Sequence, residues 1–187
     1  MNIRRLTPTD APAYRALMLD AYQRHPDAFT SSVSERTALP LAWWESRLQL
    51  EPLASEVVFG AFRDERLAGV AGLSFESREK ARHKATLFGM VVPAESRQGG
   101  LGRQLVLAAL AHARGRDGVR VVQLTVRHGN AAAQALYERC GFVQFGLEPF
   151  AVAVGAEFVS KVHMWCDLGC GLSLQPPSPP TERSCSS

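Results

Sequence analysis

The chain has 187 residues, 46% of them hydrophobic and 21% charged, with 21 basic against 18 acidic side chains and a formal net charge of +3. That length suits one domain with its own core, and the composition excludes pervasive disorder, a collagen-like repeat and a disulfide scaffold as descriptions of the whole chain. So small a basic excess argues against nucleic acid as a partner, yet it is compatible with a local basic patch facing an anionic cofactor. Cys140, Cys166, Cys170 and Cys185 form no CxxC pair and have no histidine cluster beside them, so no metal is expected. The basic start is not followed by an apolar leader segment, and no apolar run approaches a membrane span. The expectation is a reduced, cytoplasmic protein with no membrane partner.

Residues 3–6 read as a short opening strand. Thr7-Pro8-Thr9-Asp10 is a turn able to cap a helix, with Pro12 in the first helical turn. Tyr14, Leu17, Met18 and Ala21 then recur at helical spacing, and His25-Pro26-Asp27 ends the helix. Ser34 is a candidate cap in a polar stretch. Residues 41–50, carrying Trp43, Trp44 and Leu48, form a further short helix stopped by Pro52. The period then changes: 56–63 and 67–76 read as two strands about a turn at Asp64-Glu65-Arg66, and 85–92 as a third strand ended by Pro93. The basic stretch 78–84 is expected as a mobile hairpin. Residues 103–114 place Leu105, Val106, Ala109, Leu110 and Ala113 on one broad helical face. Residues 119–126 are the most β-branched run and read as a buried strand. Asn130 opens a helix to about Arg139, closed by Gly141, and 142–145 and 157–167 are the last strands. From 168 onward prolines and serines dominate, which makes 1–167 the domain and 168–187 a disordered tail.

One segment carries chemistry. The strand at 85–92 runs into a turn containing Arg97, Gln98, Gly99, Gly100, Leu101 and Gly102, and Arg103 follows at the start of the helix. Glycines let backbone amides approach a ligand unobstructed. Amides at a helix start are unpaired donors, and the macrodipole draws anions there. The arrangement is a phosphate cradle, with Arg97 and Arg103 adding charge at its rim. It has neither the spacing of a Walker loop nor that of a dinucleotide-binding GxGxxG.

The spacing Arg97-x-x-Gly100-x-Gly102 resembles the pyrophosphate-binding motif of the GNAT superfamily of N-acetyltransferases, [R/Q]-x-x-G-x-[G/A], at every specified position. Downstream, Asn130-x-x-Ala133-x-x-Leu136-Tyr137-x-x-x-Gly141-Phe142 resembles the second signature of that superfamily and follows the expected strand. The resemblance implies an α/β (α+β) fold: a mixed, mostly antiparallel central sheet flanked by helices, whose two central strands, here 85–92 and 119–126, splay apart to admit acetyl-CoA. It further implies that backbone groups at Met90, Val91 and Val92 meet the pantetheine arm and that the segment from Gln98 to Arg103 holds the pyrophosphate. A homodimer is common in the family.

Tyr137 lies seven residues after Asn130, nearly two helical turns, so both can face one groove. A phenol beside the thioester sulfur can protonate the departing thiolate, and Tyr137 occupies the position at which the family places that acid. Packing onto the sheet is its plainer role. Asn130 can cap its helix, bond the cofactor arm, or do both. For the base that accepts the amine proton, Glu76, near the end of the strand before 85–92, is the best local candidate, and Glu35 and His83 are weaker ones, each with a solvated surface position as its plainer reading. Trp43 and Trp44 could line an acceptor pocket, with packing the plainer reading. The activity implied is acetyl transfer from acetyl-CoA to a primary amine in a ternary complex, with a small-molecule acceptor favoured over a peptide. The run 124–142 also resembles ribosomal-protein N-terminal acetyltransferases, which keeps the peptide open. A non-catalytic acyl-CoA-binding module is the alternative of a different class.

Overall fold

The structure, a computed structural model, describes residues 2–97 and 99–169. Gln98 and the proline- and serine-rich segment from 170 onward lie outside the described residues. Seven strands, β1 (Asn2–Arg5), β2 (Glu56–Arg63), β3 (Arg66–Phe75), β4 (Lys84–Val91), β5 (Val121–Arg127), β6 (Val143–Val154) and β7 (Glu157–Asp167), form one sheet. Their order is β1-β2-β3-β4-β5-β7-β6. The helices are α1 (Ala11–Arg24), α2 (Val33–Thr37), α3 (Leu41–Ser46), α4 (Leu101–Arg114) and α5 (Ala131–Glu138).

Alternation along the strands sorts side chains into two layers. Val57, Phe59 and Ala61 of β2 join the core under α4, whereas Val58 joins the core under α1 and α3. On α4 the stripe Leu101, Leu105, Val106, Ala109, Leu110 and Ala113 is fully buried, the pattern expected of an amphipathic helix seated on a sheet. On the other side Tyr14, Met18 and Tyr22 recur at every fourth position of α1 and are buried. Tyr14 meets the ring of buried Trp44 edge-on at 5.4 Å. The entry into α1 is fixed by Asp10, which accepts from the Thr7 N–H at 2.8 Å and from both ends of the Arg4 guanidinium at 2.7 Å.

Every adjacent pair of strands is antiparallel except β4 and β5. That parallel pair is short: Lys84, Ala85 and Thr86 face Val121, Val122 and Gln123, and pairing stops there. Beyond it β5 stays with β7 as far as Arg127. β4 continues alongside β3 through a bulge, where Val70 faces Val91 but Gly72 faces Phe88 and Gly89 takes a left-handed φ of 58°. The far half of β4 therefore presents backbone groups that have no strand partner on the β5 side.

Several boundaries differ from the sequence expectations. Ser32, not Ser34, caps α2, in a reciprocal capping box with Glu35. α3 ends at Ser46, and α4 starts at Leu101, two residues ahead of Arg103. The 78–84 stretch holds a 3-10 turn at Glu79–Ala81. β6 is far longer than 142–145 because it is an edge strand with most side chains exposed, so no apolar alternation marks its length. Leu168, read as tail, packs against the core, and its N–H donates to the Arg120 carbonyl at 2.9 Å.

Candidate active site

A cleft of about 860 Å³ opens where β4 and β5 part. Its first end is built on the glycine turn. Gly99 and Gly100 have φ of 87° and 73°, and a Cβ added at either would meet nothing within 4 Å. The turn is thus held in a conformation that glycine adopts at no steric cost, with open space above it. The first turn-closing bond of α4 runs from the Gln104 N–H to the Gly100 carbonyl at 3.1 Å. The N–H groups of Leu101, Gly102 and Arg103 precede it and are the orphan donors of a helix start. At Gly102 a Cβ would sit 3.1 Å from Met90 Cε and 3.2 Å from Leu136 Cδ2, so any side chain here would have to push aside the tips of those two residues where α4, β4 and α5 meet.

Of the described residues expected to hold the cofactor, Met90, Val92, Arg97, Gly100, Gly102, Arg103, Asn130 and Tyr137 all line this cleft. Three do not. Val91 packs into the layer under α1 and α3, Leu101 is fully buried in the core, and Gly99 lies just outside, so these three offer backbone only. The Arg97 Nε–H donates to the Val92 carbonyl at 3.1 Å, which folds the arginine back along the turn. Asn130 caps α5 by accepting the Ala133 N–H on Oδ1 at 3.1 Å. Its amide nitrogen is not used in the cap. Tyr137 is 7% exposed and meets Phe142 edge-on at 5.8 Å. Burial, reinforced by Cys140, pushes its hydroxyl up to about 12, so the group is protonated throughout the neutral range.

The opposite end of the cleft comes from α1, α2, α3 and the loops after α1, and from β7. Tyr22, Thr30, Ser31, Arg36, Trp43, Arg47 and Lys161 face it. Arg47 lies over the rings of Trp43 and Phe88, 4.7 and 4.9 Å from their centroids, and is paired with Glu56 at 3.0 Å. Trp43 therefore both packs and lines the cleft, and Trp44 borders the cleft while almost fully buried in the core. Sequence reasoning missed Arg36, Arg47 and Lys161. The legible signal was a lysine within the apolar strand 157–167.

No carboxylate lines the cleft among the described residues, whereas Arg36, Arg47, Arg97, Arg103, Arg127, Arg139 and Lys161 do. The base candidates all lie elsewhere. Glu76 is bonded to Arg78, which holds its carboxyl down at about 2. Glu35 is spent in the α2 capping box. The His83 carbonyl receives the Arg120 and Val121 N–H groups at 2.7 and 3.0 Å, and its side chain does not reach the cleft.

Residues 18–142 match the model described as the acetyltransferase (GNAT) family. The chain belongs to the GNAT acetyltransferase family. It is 34% identical over 124 residues to the [ribosomal protein bS18]-alanine N-acetyltransferase of Salmonella typhimurium, covering 60% of this chain and 80% of that one. It is 29% identical over 141 residues to the mycothiol acetyltransferase of Salinispora arenicola, covering 73% of this chain but only 42% of that relative. The chain thus spans less than half the length of this relative. Among solved structures, a GNAT-family acetyltransferase from Streptococcus pneumoniae superposes with a TM-score of 0.80 at 26% identity, over 90% of this chain and 99% of that one. The seven-stranded, mostly antiparallel sheet flanked by helices is the GNAT fold expected from the two motifs. The cosubstrate that goes with this family is acetyl-CoA. The open glycine turn, the unpaired amides and the gap between β4 and β5 fit its diphosphate and its extended arm. Among the described residues, no helix is long and apolar enough to cross a membrane.

Proposed function

We propose that the protein is an acetyl-CoA-dependent N-acetyltransferase that passes the acetyl group directly to a primary amine, in a complex where both substrates share one cleft. The observation that carries this reading is continuity. A single cavity runs from the glycine turn, past Tyr137, to the wall of Tyr22, Trp43 and Lys161. Two substrates held end to end there need no covalent relay. A relay through cysteine is disfavoured by the positions of Cys140 and Cys166: both are buried, neither lines the cleft, and burial pushes both thiols up.

Acetyl-CoA, when bound, supplies the acetyl group as a thioester. The amides of Leu101, Gly102 and Arg103, with Arg103 and Arg97, hold the diphosphate, and the amide of Asn130 is free to bond the arm. The free backbone edge at Met90 and Val92 orients the acyl end. A neutral amine then attacks: a C–N bond forms, the C–S bond breaks, and the leaving thiolate takes the Tyr137 proton. The amine proton leaves to water, since among the described residues no carboxylate lines the cleft to receive it. A small molecule is the acceptor favoured here. A peptide amino terminus is the second reading, supported by the 34% identity to a ribosomal-protein alanine acetyltransferase. The exposed aromatics Phe145, Phe150 and Phe158 of β6 and β7 are the surface on which we place a homodimer, and sedimentation of the full chain tests it. For the reaction, thiol release from acetyl-CoA is followed against a panel of amines. Turnover that falls sharply in Tyr137→Phe while CoA affinity holds is the expected result. CoA binding with no release on any amine would instead make the protein a non-catalytic acyl-CoA-binding module.

A further inference from the structure

We infer that the amine acceptor also bears a carboxylate, and that Lys161 and Arg36 together bind it at the inner wall of the cleft. The inference rests on the acetyltransferase reading and names the substrate class of that same site.

Lys161 is the one buried charged residue among those described, at 8% exposure. Its Nζ donates to Thr30 Oγ1 at 2.9 Å, a neutral partner. Burial lowers the pKa of Lys161, and the glutamate across from it in the sheet, Glu148, offsets this only in part, from beyond ion-pair distance, because its carboxylate is 2.7 Å from the Nε2 of His163. Arg36 lies over the rings of Trp43 and Tyr22, 4.8 and 5.9 Å from their centroids. One of its terminal nitrogens donates to Ser31 Oγ at 2.8 Å, and its Nε is buried without a partner. Its sequence neighbour Glu35 is turned onto the Ser32 backbone at 2.7 Å.

Two cations are therefore moored, by the hydroxyls of adjacent residues Thr30 and Ser31, to one wall of the cleft. Neither makes an ion pair among the described residues. The other cations of the cleft have other employment. Arg47 is paired with Glu56 at 3.0 Å, and Arg127 with Asp27 at 2.7 Å. Arg97 and Arg103 stand at the diphosphate cradle. Arg139, which with Arg103 acts on Cys140, belongs to that end too. A hydroxyl can satisfy a donor but cannot neutralise a buried charge, and an unneutralised buried cation is costly. A carboxylate arriving with the substrate supplies what the chain omits, and the forked guanidinium suits its two oxygens. Tyr22 and Trp43 line the cleft beside these cations. An α-amino acid answers this description. A peptide amino terminus, with a neutral amide in place of the carboxylate, does not.

The test uses the full chain, acetyl-CoA and free amino acids, each set against its own carboxamide, with thiol release as readout. The expected result is a kcat/KM at least about tenfold higher for the acid than for the amide in the preferred pair, the size of one charge-assisted hydrogen bond. Lys161→Met and, separately, Arg36→Ala should each collapse the acid-over-amide ratio, and Lys161→Arg should restore part of it. Thermal unfolding of each variant serves as the control for folding. Amides or peptides turned over as well as acids, or a ratio untouched by both variants, would overturn the inference and leave the acetyltransferase standing. No thiol release with any amine, charged or neutral, would overturn the acetyltransferase reading itself and this inference with it.

Discussion

The two ends of the cleft are made of different materials. The end we assign to the acetyl donor is mostly main chain: amides at the start of α4, two left-handed glycines, and the unpaired edge of β4 beyond Thr86. The end we assign to the acceptor is side chains: Arg36 and Trp43 on α2 and α3, Tyr22 on α1, and Lys161 on β7. The contrast teaches how one fold keeps its cosubstrate while changing its acceptor. Backbone donors are insensitive to most substitutions and depend on a few glycines, whereas a wall of side chains can be replaced residue by residue without disturbing the sheet.

The sharpest way to break the comparison is at the residue between the two ends. Tyr137→Phe should lower kcat by about a hundredfold or more, the range of general acid catalysis, with the Kd for CoA nearly unchanged by calorimetry. A mutant with normal turnover would reduce Tyr137 to a packing residue. Next in size is the donor end. Gly100→Val forces a branched side chain onto a φ of 73° and should weaken CoA binding by about tenfold or more as amide contacts are lost. An unchanged Kd would move the cradle elsewhere. Trp43→Ala, at the acceptor end, should raise the acceptor KM by roughly three- to tenfold for the loss of one partly buried aromatic wall, with no change in CoA affinity. A change in CoA affinity as large as that in KM would mean that the two ends are not separate.

The pH profile sharpens the same contrast. The Tyr137 hydroxyl is pushed up to about 12, so the acid form persists at all lower pH. The kcat profile should show no alkaline fall from loss of this proton below about pH 10, the ordinary phenol value. The smallest effect concerns the support of α1. Arg4 holds Asp10 down at about 2, below its unfolded value, so the pair stabilises the fold above about pH 4 and the contribution fades as pH falls toward 2. Arg4 is 40% exposed at its side chain, so Asp10→Asn should cost only about 1 kcal/mol at neutral pH, measured by denaturant unfolding.

Most elements were legible in the sequence because each carried its own period: β2 and β7 match their predicted spans, and α4 differs only at its start. What escaped was β6. An edge strand exposed along most of its length has no core face to impose alternation, and its irregular register at Phe150 breaks the run further. The base candidates failed for a related reason. The position of Glu76 at the end of a strand does not reveal that it bonds Arg78, nor does the sequence place Glu35 outside the cleft in its capping box with Ser32.

The sequence by itself determined the strand, glycine turn and helix start on which we place the cosubstrate, because these are contiguous and two of the turn's glycines hold left-handed φ values that favour glycine. It also determined the family, through two motifs whose spacing follows from local backbone geometry. Only the tertiary structure decided the acceptor end. Lys161 and Arg36 are 125 positions apart in the chain and meet one wall only because the loop after α1 is tied to β5 through Asp27 and Arg127 and to β7 through Thr30 and Lys161. Burial and the lack of a close ion pair among the described residues are properties of that meeting, and no linear pattern encodes them.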